Sequence, residues 1–419
     1  MAPTMLPLSQ RSPLAWLGGL SPSQFMRRYW QKKPLLVRNA FPSWAHGDAH
    51  GDAHGNAHGN APPVSMQQVL QEARNDRLPS RMVDARYALQ LGPFRPRQIP
   101  SLKTPGWTIL VQQTNTVLPA ADRFLDCFRF VPEGRLDDLM ISVASDQGGI
   151  GAHVDSYDVF LIQAQGYRRW EIAQTFDPRL APDLDLKILQ RFVPEQTMVL
   201  GPGDLLYLPP QVAHRGTAVD GPCMTYSVGF RAPSAPEIAD MAFGQYLDQK
   251  GGDAFWSDPW LEATEHSGEL PDRLVLGLTQ QAMACLPTRR EIAQEVVVAL
   301  SAPHPSVYYD APPPITLRRF LRLAQSLDSL RLSPGSRLLL WHDFIAINGE
   351  SVDLPAAKPR AQQQIRNALR YLANQRAIRA AALTQRAADD PLVGLLWQWF
   401  LQGYLIPISA PGKRHPVKS

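Results

Sequence analysis

Gly151-Ala-His153-Val-Asp155-Ser-Tyr157-Asp158-Val-Phe160-Leu-Ile-Gln163 is the stretch on which the fold turns. Its second half, Val159–Gln163, is a short apolar run with the β-branched and aromatic content of a strand. Gly148-Gly149-Ile150-Gly151 ahead of it marks a turn. Working outward, further short strands are expected at Leu139–Ala144, Arg169–Ala173, Thr197–Leu200, Leu205–Leu208 and Met224–Phe230, with a second turn at Gly201-Pro202-Gly203-Asp204. Short strands separated by glycine turns predict two packed sheets closed into a jelly roll, the double-stranded β-helix of cupins.

The first half of the stretch carries the chemistry. Residues i and i+2 of a strand project to the same face, so His153 and Asp155 can converge on one ion. His214 follows Gly203-Asp204-Leu-Leu-Tyr-Leu-Pro209, which reads as a turn and a strand entering a proline bend. Two imidazoles and one carboxylate on one side of a metal form the facial triad of non-heme iron(II) oxygenases, which leaves positions open for a 2-oxo acid and O2. Zinc held by three protein ligands uses the same residue types, so the triad alone leaves the metal open. Two other H-x-D matches, His46-Gly47-Asp48 and His50-Gly51-Asp52, belong to a His-Gly-Asp/Asn-Ala repeat over residues 46–60. That repeat has no apolar face to bury and is expected as a low-complexity surface loop rather than a metal scaffold.

Gly166-Tyr-Arg168-Arg169-Trp170 follows the apolar strand. The planar guanidinium of an arginine pairs with a carboxylate through two parallel hydrogen bonds, which suits the distal carboxylate of 2-oxoglutarate. Alternation sends Arg168 and Arg169 to opposite faces, and spacing leaves open whether either points inward or both are solvated.

A chain of 419 residues exceeds what one core usually supports, so more than one domain is expected. Hydrophobic residues at 44% and charged residues at 19% exclude a disordered chain. A net charge of +4 permits an acidic or nucleic-acid partner without requiring one. Cys127, Cys223 and Cys285 lie far apart with no C-x-x-C, which argues against a disulfide framework or zinc ribbon. With no secretory signal visible, a cytoplasmic location is expected. Pro391–Ile408 is uncharged, but Gln398, Gln402, Gly403 and Pro407 interrupt it. A buried helix ending near Gln402-Gly403 and a strand Tyr404–Ile408 are expected there instead of a membrane span.

Upstream, Ser23–Trp30 reads as a helix and Pro34–Arg38 as a strand. Downstream of Pro233, residues 235–300 read as helical. Thr288 with Glu291 forms a capping box that opens a helix with Ile292, Val296 and Leu300 on one side. Pro303–Pro314 reads as a linker. Beyond it, Leu317–Leu327 is expected as a helix, Leu338–Ile347 and Ser351–Leu354 as strands around an Asn348-Gly349 turn, and Ala361–Ala380 as a helix. Helix, hairpin and helices in this order suggest a winged-helix-like module. Arg366, Arg370, Arg376 and Arg379 would give its last helix a basic face, read as solvated or as meeting nucleic acid.

Taken together, Asp138-Leu-Met-Ile-Ser142, Gly151-x-His153-Val-Asp155-x-Tyr157-Asp158-Val-Phe160-Leu-Ile-Gln163, Gly166-x-Arg168-Arg169-Trp170 and Gly203-Asp204-x-Leu-Tyr207-x-Pro-Pro-x-x-x-His214 resemble the JmjC-type bacterial ribosomal oxygenases. The opening Phe25-Met-x-x-Tyr29-Trp30-Gln-Lys-Lys-Pro34-Leu-Leu-Val-Arg38 resembles that family's start. The resemblance implies an α+β chain: a JmjC/cupin catalytic domain over 1–234, a helical dimerisation segment over 235–302 and a winged-helix-like domain over 303–419. It implies Fe(II) held by His153, Asp155 and His214, with 2-oxoglutarate held by Arg168 and O2 as co-reactant. The implied reaction is hydroxylation of an arginine β-carbon in a large-subunit ribosomal protein, number sixteen, by a homodimer. A related oxygenase acting on a histidine of another ribosomal protein would share these motifs.

An arginine substrate needs acidic or carbonyl partners, for which Asp146 and Ser234 are candidates. Asp146 reads equally as a turn cap and Ser234 as a helix N-cap. Two rival functions remain open at this point. One is a metal-cupin sensor that binds nucleic acid through its winged helix, and the other is a zinc or manganese cupin hydrolase or isomerase.

Overall fold

A computed structural model of the chain describes residues 10–44, 61–250, 255–263, 266–356, 358–387 and 389–409. The repeat over 46–60, with its two H-x-D matches, lies outside the described residues. The chain divides into two compact units. One comprises Met1–Ala232, Pro303–Ser336 and Pro355–Ser419, and the other Pro233–Ala302 and Arg337–Leu354.

The first unit opens with helix α1 (Pro22–Arg28), whose N-cap Ser21 accepts from Gln24 N–H at 3.2 Å while Gln24 Oε1 accepts from Ser21 N–H at 2.9 Å. This reciprocal pair satisfies two backbone donors that a helix start otherwise leaves open. Strand β1 (Leu35–Val37), α2 (Met66–Glu72), β2 (Ser80–Val83), β3 (Leu89–Leu91), β4 (Thr108–Val111), α3 (Thr114–Val117) and α4 (Pro119–Leu125) follow. The barrel strands are β5 (Leu136–Ala144), β6 (His153–Val154), β7 (Val159–Ala173), β8 (Gln196–Leu200), β9 (Leu205–Leu208) and β10 (Ala213–Phe230). Their order is β1-β9-β7-β10-β5-β4-β2-β3, with β8 also on β7 and β6 also on β10.

Two long strands, β7 and β10, hold this sheet together. β7 pairs with β9 through Val159–Ile162 and with β8 through Arg168–Ile172. β10 pairs with β5 through Cys223–Phe230 and with β6 through Ala213 and His214. The expected strands Val159–Gln163 and Arg169–Ala173 are therefore halves of one strand, and Met224–Phe230 is the second half of another. Gly166 lies between the halves of β7 at φ +64, and a Cβ there would sit 2.3 Å from the Pro222 carbonyl oxygen. That positive φ and that close approach are what glycine permits.

The two faces of the sheet bury different things. Phe25, Phe124, Phe128, Phe160, Tyr207, Tyr226 and Phe230 form a large aromatic core between the sheet and the N-terminal helices. Val159, Leu161, Trp170, Ile172, Leu200, Leu206, Leu208 and Val212 form a smaller cluster on the inner face. This is the jelly roll that the strand spacing suggested.

After the barrel come α5 (Ala235–Lys250), α6 (Asp272–Ala284) and α7 (Arg289–Ser301), then α8 (Leu317–Ala324) and β11 (Leu327–Leu332). The hairpin strands β12 (Leu338–Trp341), β13 (Phe344–Ile347) and β14 (Glu350–Ser351) precede α9 (Pro359–Gln375), β15 (Ala377–Arg379), α10 (Ala381–Thr384), α11 (Pro391–Leu401) and β16 (Leu405–Ser409). The expected capping box at Thr288 opens α7 as read. In the second unit, α5 and the β12–β13 hairpin pack on α7. In the first, β11 is the centre of a sheet with β15 and β16.

Three expectations in this region need correction. Leu327 starts a strand rather than ending a helix. Leu338–Ile347 is two strands that turn at His342, φ +53, with the Asn348-Gly349 turn leading to a third. Finally, α9 stops at Gln375 because Arg376 takes a left-handed cap at φ +54. Arg376 is buried, and Arg379 lies in β15, so the four arginines do not share a helical face. No helix among the described residues is long and apolar enough to cross a membrane. All three cysteines are free thiols.

Candidate metal centre

β6 is only two residues long, yet it fixes the site. It pairs His153 directly opposite His214 at the start of β10, and the two rings lie 4.2 Å apart between centroids. Pro209-Pro210-Gln211 ends β9, so His214 opens the next strand instead of closing the previous one. Asp155 follows β6 and its carbonyl accepts from Gln211 N–H at 2.9 Å, which ties the two loops together. Asp155 Oδ1 lies 3.9 Å from His153 Nε2, and Oδ2 lies 3.6 Å from His214 Nε2. One ligand atom from each of His153, Asp155 and His214 falls within 4.8 Å of the others, and among the described residues this is the cluster with that property.

The tautomers follow from the outer contacts. His153 Nδ1 lies 3.1 Å from the Gly151 carbonyl and His214 Nδ1 lies 2.9 Å from the Val212 carbonyl. A carbonyl can only accept, so Nδ1 carries the proton on each ring and Nε2 keeps its lone pair. Such an outer hydrogen bond orients a histidine ligand and fixes its tautomer. Burial pushes the His214 imidazole down to about 4, reinforced by neighbouring His153 and opposed by Asp155 and the Val212 carbonyl. His214 is therefore neutral, as a ligand must be.

Arg168 faces the same interior. His214, Gly216 and Ala218 on β10 lie opposite Ile172, Trp170 and Arg168 on β7, so these six side-chain positions share one face. Arg168 is 5% exposed while Arg169 and Tyr167 turn outward. Its Nε donates to Cys223 Sγ at 3.4 Å, its guanidinium carbon lies 5.8 Å from the Trp170 ring centroid, and its Nη2 has no hydrogen-bond partner. An unpaired buried charge-bearing donor is costly, and an anionic ligand would satisfy it. The indole Nε1 of Trp170 is a second buried donor without an acceptor.

Sequence reasoning missed the Cys223 contact of Arg168 and a buried polar row on the neighbouring strands. Thr225 pairs with both Ser142 and Gln163, which sets a buried polar row across three strands. Thr225 Oγ1 donates to Gln163 Oε1 at 3.0 Å. Cys223 was read only as an unpaired thiol. The available signal was alternation on β5 and β10, whose other faces carry the apolar core residues.

The two substrate candidates sit elsewhere. Asp146 occupies the turn after β5, where its carboxylate accepts from Gly221 N–H at 3.2 Å and from Gln147 Nε2 at 3.4 Å. Ser234 belongs to the second unit, where it caps α5 reciprocally with Glu237. Both contacts match the capping alternatives, and neither residue is part of the histidine–aspartate cluster.

Two family models match parts of the chain. The JmjC domain family matches residues 123–238, and the ROXA-like winged helix matches residues 293–406. The ribosomal protein uL16 3-hydroxylase of Escherichia coli is 28% identical over 402 residues, covering 90% of this chain and 97% of that protein. A probable ribosomal oxygenase of Haemophilus influenzae is 32% identical over 230 residues, covering 53% of this chain and 52% of that protein. The solved structure of the E. coli ribosomal oxygenase YcfD in complex with cobalt and 2-oxoglutarate superposes with a TM-score of 0.73 at 27% identity, covering 93% of this chain and 98% of that one. The chain thus carries a JmjC domain, whose jelly roll holds an interior histidine–aspartate cluster, and a ROXA-like winged helix, and along nearly its whole length it is similar to the ribosomal protein uL16 3-hydroxylase of Escherichia coli.

Proposed function

We propose that this protein is an Fe(II)- and 2-oxoglutarate-dependent hydroxylase of a large-subunit ribosomal protein, acting at the β-carbon of an arginine. The observation that carries the proposal is the pairing of two features on one barrel face. One is a cluster of two Nε2 lone pairs and one carboxylate, and the other is a buried arginine with an unpaired Nη2. The first fits a divalent metal on one side only, leaving its other positions open. The second fits the far carboxylate of a dicarboxylic cosubstrate and distinguishes this barrel from a zinc or manganese cupin hydrolase.

His153, Asp155 and His214 would hold the iron, and Arg168 would hold 2-oxoglutarate. When bound, the metal and cosubstrate with O2 supply the oxidation that converts a substrate C–H to C–OH while 2-oxoglutarate becomes succinate and carbon dioxide. The protein contributes position. The two backbone carbonyls hold each imidazole with Nε2 forward. Arg168 fixes the cosubstrate's far end, and Leu161, Trp170, Ile172 and Leu206 form an apolar wall that keeps water from the reacting face.

The chain would use its segments differently: 1–234 for catalysis, 235–302 for dimerisation and 303–419 as a winged-helix-like domain. The dimerisation role is supported by α6, none of whose residues is buried and which exposes Val275, Leu276, Leu278 and Met283. Such an apolar face is expected to be covered, here by a second copy of the chain. A homodimer by light scattering, and monomers for a variant with Leu276 and Met283 changed to Lys, would support this. A monomeric parent would contradict it. A cytoplasmic location follows from a ribosomal substrate.

The test of the reaction is mass spectrometry of large-subunit ribosomal proteins after incubation with enzyme, Fe(II), 2-oxoglutarate and O2. One protein should gain a single oxygen atom, with fragmentation placing it on an arginine. Oxygen on a histidine would move the assignment to the related histidine hydroxylases, and no gain on any ribosomal protein would remove the substrate assignment.

A further inference from the structure

Arg168 is gripped from one side by a residue that the cosubstrate assignment does not use. Cys223 is fully buried and stands opposite Ala144 on β5. Its Sγ lies 3.4 Å from Arg168 Nε, which is the side chain's hydrogen bond among the described residues. Ala144, Ala218 and Cys223 form a small buried cluster beside the guanidinium. The contact is built by the Gly166 close approach, since a Cβ on Gly166 would sit 3.0 Å from both Cα and Cβ of Cys223.

A carboxylate can dock on a guanidinium in two bidentate ways, across Nη1 and Nη2 or across Nε and Nη2. With Nε engaged by sulfur and Nη2 unpaired, the end-on edge is the one left free. We propose that Cys223 is a positioning residue which selects the Nη1–Nη2 edge of Arg168 for the distal carboxylate and thereby sets the length of dicarboxylate that fits. The role is indirect, because Cys223 acts through Arg168, and it rests on the reading of Arg168 as the cosubstrate's anchor. Sulfur is a weak acceptor, so the contact orients more than it binds. Beside a charge it is still expected to matter, because a guanidinium with no Nε partner can rotate and offer either edge.

The experiment measures affinity by calorimetry for full-length protein loaded with Fe(II) under nitrogen. The ligands are 2-oxoglutarate, the one-carbon-longer 2-oxoadipate, and pyruvate, which has no distal carboxylate. Cys223→Ala is expected to weaken 2-oxoglutarate by about five- to tenfold and to narrow its advantage over 2-oxoadipate, leaving pyruvate unchanged. Cys223→Ser supplies a hydroxyl acceptor at the same place and should stay within about threefold of the parent. Unchanged 2-oxoglutarate affinity in Cys223→Ala, or an equal loss for pyruvate, overturns the proposal. If both Cys223 variants unfold on heating well before the parent, Ala218→Ser provides another route. Its added hydroxyl beside Arg168 should shift dicarboxylate selectivity, and no shift counts against the proposal. Arg168→Ala is the control that separates the two ideas. If it weakens 2-oxoglutarate relative to pyruvate while Cys223→Ala does not, this inference alone fails. If Arg168→Ala has no selective effect, the anchor reading fails and takes this inference with it.

Discussion

His214 shows how one residue's surroundings serve the site before any metal arrives. Its folded value of about 4 lies below the ordinary 6.5. As pH falls, the unfolded chain therefore takes up a proton first, so stability must fall with it. In metal-free protein the contribution is complete above about pH 6.5 and is lost as pH drops toward about 4. Urea midpoints in the presence of a chelator should fall between about pH 7 and about pH 5, and His214→Gln should flatten that part of the profile. An unchanged slope in the variant would show that other groups set it. Arg168→Lys, which keeps the charge but loses the planar fork, should raise KM for 2-oxoglutarate by about tenfold or more with a smaller change in kcat. The clustering of His153, Asp155 and His214 was legible because H-x-D before an apolar strand is local information. The choice between Arg168 and Arg169 was not. Counting alternately from the inward Val159 and Leu161 places Arg169 inside, whereas the inner cluster holds Trp170 and Ile172. A register shift between Met224 and its neighbours on β10 moves the alternation by one residue, and no period-two rule crosses a bulge.

At the scale of elements, that bulge is a device with a glycine at its centre. Gly166→Ala forces a side chain onto the Pro222 carbonyl in a backbone conformation that alanine disfavours. It should cost about 1–3 kcal/mol and should raise KM for 2-oxoglutarate, because Arg168 shifts with the strand. A destabilised variant with unchanged KM would separate the bend from the site. Helix α7 offers a simpler check. Thr288 Oγ1 accepts from Glu291 N–H at 3.3 Å while Glu291 Oε2 accepts from Thr288 N–H at 2.9 Å. Thr288→Ala should lower stability by about 1 kcal/mol, read as a shifted denaturant midpoint with the same slope. Caps of this kind are visible in sequence because they are satisfied within one turn. Strands β2, β3 and β4 were not legible, because their residues are recognised as strands only through pairing with β5 and with one another. The end of α9 was missed for a related reason. Nothing local to Asn374-Gln375-Arg376 announces a left-handed arginine whose guanidinium donates to the Ser336 and Ser333 carbonyls at 2.9 and 3.1 Å.

Across the first unit as a whole, that arginine explains why a C-terminal segment packs with the barrel. Arg376 and Arg331 come from the C-terminal part, and Asp122, Asp126, Arg129 and Glu133 come from α4 and the turns after it. Arg331 Nη2 lies 3.0 Å from Asp122 Oδ2, Arg376 Nη1 lies 3.2 Å from Glu133 Oε1, and Arg129 also pairs with Glu133. Burial alone would raise the Asp122 carboxyl, but Arg376, Arg331 and Arg129 outweigh it and hold it below the usual range. Arg376→Met removes one partner from a buried set, so it should destabilise by about 3–5 kcal/mol, seen as a lower midpoint or a separate early transition. A change below about 1 kcal/mol would mean that the cluster is dispensable. An arginine spent on this internal network is also unavailable to nucleic acid, which weakens the sensor reading and leaves catalysis as the barrel's role. That central claim is tested most directly by succinate formation in anaerobically purified protein, given 2-oxoglutarate, a large-subunit ribosomal protein fraction and O2, with Fe(II) or with Zn(II). The account predicts oxygen-dependent succinate with Fe(II), none with Zn(II), and none in Asp155→Ala. Absence of oxygen-dependent succinate from the Fe(II)-loaded parent, or equal turnover by Asp155→Ala, would contradict it.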